Sequence, residues 1–458
     1  MGRTSTRVRW RAAAAALLAA GIVVGPVAAP AVAEDTIRQQ QWHLDAMHAS
    51  EMWKITKGQG ITVAVIDGGF NLEHPDLAGQ FLPGKDFSGS PGGVGSYGDG
   101  HGTGIASLIA GTGRGMGGAG AQGLAPGVKI LPLKINNGSV GSLVSSDFLG
   151  QIGEAITYAV DQGARVINIS QGMNAVIPLS EEVAKINSVI AAARAKGVLV
   201  ISSVGNEAEK GNPVEYPGAL PGVVGVGASD QAGTVTAESE HGPQVTLVAP
   251  GMDMIAACTS PTGYCKSHGT SDSAALVSAS AALVWSVHPE WTSNQVLRVI
   301  INTAGKPKDG SNRTDDAGYG AARPRIALTS PGDPGPSDVS PVPISEAAPT
   351  AAPSGATTLP PSSVPSPVES PTDAAVGVAP TQPKGEVVSR SSSALPIVAA
   401  VVAGLALVAG VVFILVRRRR SAVQPEAQVP PVPVQHPMPP VPSSYQPPAP
   451  PGDNPYVK

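Results

Sequence analysis

The sequence predicts an α/β protein, a mostly parallel central sheet with helices on both faces. Runs at 61–67, 128–135, 165–170, 198–203, 223–228 and 245–249 are continuously apolar and rich in β-branched residues, as strands buried on both sides must be. Helix-length stretches at 147–162 and 180–196 stand between several of them, closed by Gly163 and Gly197 where a C-terminal cap is wanted. Strand and helix alternating at this spacing make a parallel sheet, and such a sheet offers a ligand site at the carboxyl ends of its strands.

The elements follow in order. Residues 1–11 carry Arg3, Arg7, Arg9 and Arg11 without an acid, 12–29 are apolar, and Ala31-Val32-Ala33 is a small-residue cleavage site. This predicts a secretory signal peptide over 1–33, a spanning anchor being the alternative. The globular domain is expected over 34–327. Its first stretch, QWHLDAMHASEMW at 41–53, spaces apolar residues as one or two helical turns laid on a core. ITVAVID at 61–67 is a central strand that ends on Asp67 before Gly68-Gly69. At 267–286, SHGTSDSAALVSASAALVWS sets a Gly-Thr-Ser turn before a long run of small and apolar residues, a helix buried on nearly every side. Pro289 stops that helix, and Thr292 with Gln295 forms a capping box for another over 293–302.

After about Ile326 the periodicity fades. Residues 328–393 are largely Pro, Ser, Thr and Ala, predicting a disordered, extended stalk that buries no core. The run 394–416 is uncharged and apolar, long enough at about 1.5 Å per residue to span the roughly 30 Å hydrocarbon layer. Arg417 to Arg420 follow at once, which places 417–458 in the cytoplasm and the globular part outside, a type I arrangement. That tail is proline-rich; it is read as solvated, with polyproline II docking as the alternative.

The charge balance, 30 basic against 34 acidic residues, gives no reason to expect nucleic acid as a partner. Cys258 and Cys265 are close in sequence and lie outside the membrane in this topology, so a disulfide between them is expected.

A serine in the first turn of the buried helix meets unpaired N–H groups and the positive end of the helix dipole, where negative charge can develop. Ser271 is therefore the candidate nucleophile. Alone, Gly269-Thr270-Ser271 also reads as an ordinary helix cap. Two upstream stretches change the balance: Val65-Ile66-Asp67-Gly68-Gly69 and Gly100-His101-Gly102-Thr103-Gly104-Ile105-Ala106. An alcohol is a poor nucleophile at neutral pH, so a neutral His101 must take its proton and return it to the leaving amine. Asp67 must hold the ring's tautomer and stabilise the imidazolium. In the order Asp, His, Ser, each in a glycine-bearing turn, the three stretches resemble the catalytic motifs of the subtilisin-like serine proteases, the subtilases.

The resemblance spans about 41–327 and implies a subtilisin-like three-layer fold and a serine endopeptidase that works through an acyl-enzyme. It implies that Asn206, in Ser202-Ser203-Val204-Gly205-Asn206, donates to the oxyanion together with the Ser271 N–H. It also implies that Ser170, Gln171 and Gly172, at the end of Val166-Ile167-Asn168-Ile169, pair with bound peptide as an extra strand. Two departures stand out: Gly104 replaces the family's second histidine, and Asp272-Ser273-Ala274-Ala275 lacks the usual proline. Neither removes a catalytic atom, although Asp272 sets a carboxylate beside the nucleophile. No cofactor is required. Subtilases often hold structural calcium, but Asp76 and Asp99 form no recognisable loop and read as solvated loop acids, so no metal ligand is assigned. An ordinary His101 would lose activity on protonation below about pH 6 to 7.

Signal peptide, subtilase domain, stalk, span and basic tail together are similar to the mycosins, membrane-anchored proteases tied to type VII secretion. This implies a cell-membrane location with the catalytic domain outside, and secretion machinery as a partner besides peptide substrates. The short segment 34–40 and the absence of further cysteines depart from that group. The alternative reading is a subtilase-fold scaffold of a secretion complex, with little or no activity.

Overall fold

The computed structural model describes residues 36–136, 147–174 and 180–343. The signal peptide expected at 1–33, the span at 394–416 and the tail at 417–458 lie outside these residues, as does the stalk from 344 onward. Among the described residues, no helix is long and apolar enough to cross a membrane.

The chain opens with three short helices, α1 (Ile37–Gln40), α2 (Trp42–Ala46) and α3 (Ala49–Met52), which bury Leu44, Met47 and Met52 as the apolar spacing at 41–53 requires. There follow β1 (Thr62–Asp67), β2 (Lys85–Asp86), α4 (His101–Ala110), the irregular turn α5 (Gly115–Gly118), β3 (Lys129–Lys134), α6 (Phe148–Asp161) and β4 (Val166–Ile169). The second half runs through β5 (Met173–Asn174), α7 (Ser180–Ala195), β6 (Leu199–Ser203), β7 (Glu215–Tyr216), β8 (Val224–Ser229), β9 (Val245–Pro250), β10 (Met254–Ala257) and β11 (Tyr264–Ser267). It closes with α8 (Thr270–Val287), α9 (Ser293–Asn302) and α10 (Pro324–Thr329).

Seven strands form one sheet in the order β2-β3-β1-β4-β6-β8-β9, each pair parallel. Each of the six apolar runs supplies a strand of it. Side chains alternate along a strand, and β1 shows the result: Val63 and Val65 enter one core with α4, α8 and α9, while Ala64 and Ile66 enter another with α6 and α7. Each fully buried aliphatic side chain stabilises the fold by about 1.5–3 kcal/mol, so both faces hold the sheet in place. Helix α8 lies in the first core and is buried from Thr270 to Trp285; its alanines and serines let the backbone come close to the sheet it crosses.

The periodicity does not reveal α4, whose glycine-rich start reads as a turn, nor the hairpin of β10 and β11. The hairpin pairs antiparallel, and Cys258 and Cys265 are joined across its end with their Cα atoms 5.7 Å apart. The ordered chain also runs beyond 327. Of residues 328–343, expected as the start of a disordered stalk, 328–329 end α10 and 334–339 are held against α9. Arg298 Nη1 donates to the carbonyls of Pro334 at 2.6 Å and Pro336 at 2.9 Å, and Gln295 donates to that of Gly335 at 2.9 Å. A proline-rich segment has carbonyls without backbone partners, and a guanidinium with five donors can gather several of them.

Candidate active site

Strands β1, β4 and β6 are neighbours in the sheet, so their carboxyl ends bring Asp67, Ser170 to Gly172, and Gly205-Asn206 to one edge. His101 is the first residue of α4 and Ser271 the second of α8, two helices that pack against each other on one face. Residues far apart in the chain therefore meet through sheet order and the packing of α4 on α8.

Asp67 is fully buried, and its two carboxylate oxygens lie 3.0 and 2.9 Å from His101 Nδ1. Oδ1 also accepts from the Gly68 N–H at 2.7 Å and from Gln171 Nε2 at 3.1 Å. A carboxylate can only accept, so Nδ1 carries the proton and Nε2 is left to take one. Burial draws the His101 pKa down, but the charge and hydrogen bond of Asp67, then the charges of Asp272 and Asp99, outweigh it and carry the value up to about 9. The expectation of an ordinary histidine is thereby corrected: three carboxylates hold its proton. Gly102 is required by close approach, since a Cβ there would fall 2.4 Å from the Gly69 carbonyl and 3.1 Å from Asp67 Oδ1.

Ser271 is 8% exposed, and a buried relay fixes its backbone. Ser278 Oγ donates to Asn168 Oδ1, Asn168 Nδ2 donates to Ser170 Oγ, and Ser170 Oγ donates to the Ser271 carbonyl, each at 3.0 Å. Ser170 thus ties β4 to the start of α8. Gly269, just before the helix, has φ of +122°, a conformation that favours glycine. Among the described residues no hydrogen bond joins Ser271 Oγ to His101; such contacts are often long in a free enzyme and close when substrate binds.

Asn206 is exposed and oriented by α8. Its Oδ1 accepts from the Thr270 N–H at 2.8 Å and from Thr270 Oγ1 at 3.1 Å. Its Nδ2, like the Ser271 N–H, donates to no group among the described residues, which leaves two donors beside one hydroxyl, as an oxyanion would need.

Two side chains named from the sequence make contacts that it did not reveal. Gln171, expected to pair with substrate through its segment, also turns its amide toward Asp67 and lies 3.2 Å from His101 Nδ1. Asp272 is 3% exposed and accepts from Ser267 Oγ at 2.6 Å. Burial pushes its carboxyl up to about 6, while Ser267, His101 and His268 act to lower it. At neutral pH it is therefore mostly ionised, and its charge reaches His101.

Asp76 is no solvated loop acid. It is fully buried and accepts from the Gly115 N–H at 2.6 Å, the Ala121 N–H at 2.9 Å and the Tyr264 hydroxyl at 2.8 Å, donors that offset its desolvation. Asp99 accepts from the His101 N–H at 3.0 Å. Among the described residues no three His, Cys, Asp or Glu side chains gather as a metal site.

Several known proteins resemble this chain. The profile of the subtilase family, Peptidase S8, matches residues 58–322. The major intracellular serine protease of Bacillus subtilis is 34% identical over 258 residues, 54% of this chain and 75% of that protein. Among solved structures, MycP1 from Mycobacterium smegmatis is 28% identical with a TM-score of 0.56, covering 67% of this chain and 88% of its own. The periplasmic assembly of the ESX-5 inner membrane complex contains a chain 26% identical, with a TM-score of 0.56, covering 71% of this chain and 92% of that one.

Proposed function

The chain belongs to the subtilase family and is a serine endopeptidase, and on that premise we propose that Asp67, His101 and Ser271 are its catalytic triad. The observation that carries the assignment is the pair of buried carboxylate oxygens on His101 Nδ1, beside the helix that presents Ser271. His101 Nε2 takes the Ser271 proton as Oγ attacks the scissile carbonyl, and returns it to the amine as the acyl-enzyme forms. Asn206 Nδ2 and the Ser271 N–H receive the oxyanion, and the backbone of Ser170 to Gly172 holds the peptide as an added strand. Water then takes the place of the amine and releases the acyl group by the same proton path. These steps use no cofactor, and a structural calcium has no ligands assigned to it.

The pH dependence tests the triad. Only neutral His101 can act as base, so acylation of Ser271 should rise with pH between 6 and about 10, through a midpoint near 9, well above the 6.5 of a free histidine. Asp272→Asn removes a negative charge that holds the proton on His101, so its midpoint should move to lower pH. The rate of labelling by a fluorophosphonate across this range gives both midpoints. A profile that is flat, or that Asp272→Asn moves to higher pH, contradicts the assignment.

We further propose that residues 1–33 direct export, that 394–416 anchor the chain as a type I protein, and that it works beside a type VII secretion complex. The run at 394–416, its following arginines, and the likeness to MycP1 and the ESX-5 assembly support this reading. Full-length protein should stay in membranes through an alkaline carbonate wash and, gently solubilised, migrate with a larger assembly. Release by the wash would contradict the anchor; migration alone would contradict the partner.

A further inference from the structure

Two carboxylates stand beside the edge that bears Ser271 and take no part in the chemistry above. Glu215, in β7, is half-buried, and its side chain packs on Gly172: a Cβ at that glycine would fall 2.1 Å from Glu215 Oε1. The β5–β7 ladder holds it there, with Asn174 opposite Glu215. Glu240 is fully buried behind Gly205, whose Cβ would fall 2.4 Å from each of its carboxylate oxygens. Neither Glu240 oxygen has a hydrogen-bond partner, and neither glutamate forms an ion pair among the described residues. Nearby Glu207 differs, because Asn174 Nδ2 at 2.7 Å and Lys210 at 3.3 Å already engage its carboxylate.

Carboxylates withdrawn from water without a partner are costly, and a neighbouring carboxylate raises their proton affinity further. Burial and then Glu207 push Glu215 up to about 7, while burial and then Glu215 push Glu240 up to about 8. A cation placed against Glu215 would relieve that cost. The position of the pair says where the cation would come from. If a peptide lay along Ser170 to Gly172 with its scissile carbonyl between Ser271 and Asn206, the side chain of the residue bearing that carbonyl would enter the gap between 170–172 and 204–206. Glu215 lines one wall of this gap at Gly172, and Glu240 lies behind the other at Gly205.

We propose that Glu215, with Glu240 behind it, selects a lysine or arginine at the substrate residue whose carbonyl Ser271 attacks. The proposal rests on the triad reading, and its test separates the two. Full-length protein is assayed on paired fluorogenic peptides that differ only in lysine, arginine, leucine or glutamate at that residue, and is labelled in parallel with a fluorophosphonate. The expected ratio of kcat/KM for the basic over the apolar peptide is about 100-fold. Glu215→Gln should cut that ratio by about tenfold or more, and Glu215→Asp should keep part of it. Glu240→Gln should cut it by less, and it carries the test if Glu215→Gln does not fold. Labelling of Ser271 together with a preference for leucine or glutamate, or a basic preference that survives both glutamine variants, overturns this proposal alone. Absence of labelling overturns the triad reading and this proposal with it.

Discussion

Ser271→Ala should lower peptide turnover by roughly 10⁴- to 10⁶-fold, the scale of loss that removing the nucleophile causes in subtilisin, a member of the same family. The change trades one small side chain for another in the first turn of α8, so stability should fall by no more than about 1 kcal/mol. His101→Ala should be nearly as damaging. The double variant should be little worse than either alone, because a hydroxyl without its base and a base without its hydroxyl are both idle. Turnover measured on purified full-length protein decides this. A loss below about tenfold in Ser271→Ala, or losses that multiply in the double variant, would show that the two side chains do not act as a unit.

Asn206→Ala should lower kcat by about 100- to 1000-fold with little change in KM, because its amide serves the oxyanion and hardly the bound ground state. Here the side chain has a second duty. Its Oδ1 receives the N–H and hydroxyl of Thr270, so alanine also leaves a donor at the start of α8 unmatched, at a cost of about 1–3 kcal/mol. Asn206→Asp separates the two effects. An aspartate still accepts from Thr270 but turns a negative oxygen toward the developing charge, so it should fold better than alanine and turn over no faster. A rise in KM at unchanged kcat would assign Asn206 to substrate binding instead.

Much of this site was legible in the chain because each part occupies a place the fold makes conspicuous. Asp67 ends a run of residues buried on both faces, Ser271 opens the helix with the smallest side chains, and His101 and Asn206 sit among glycines. The parallel order of β1, β4 and β6 then brings their carboxyl ends together without further information from the sequence. What stayed hidden depends on direction and on company. Gln171 is polar in a polar turn, and nothing in its neighbours says that its amide turns back to Asp67. Asp76 looked like a loop acid because its three donors, at 115, 121 and 264, are remote in sequence. The raised His101 pKa needed Asp99 and Asp272 in space, and the proline-rich stretch after 328 gave no sign that Arg298 would gather its carbonyls.

The most direct test of the triad is covalent labelling of the full-length protein by a fluorophosphonate, with the modified peptide identified by mass spectrometry. The predicted result is a single adduct on Ser271, formed faster as pH rises toward 9, and absent in Ser271→Ala. A folded protein that stays unlabelled across pH 6 to 9, and cleaves no member of a broad peptide library, would contradict the account and favour an inactive scaffold.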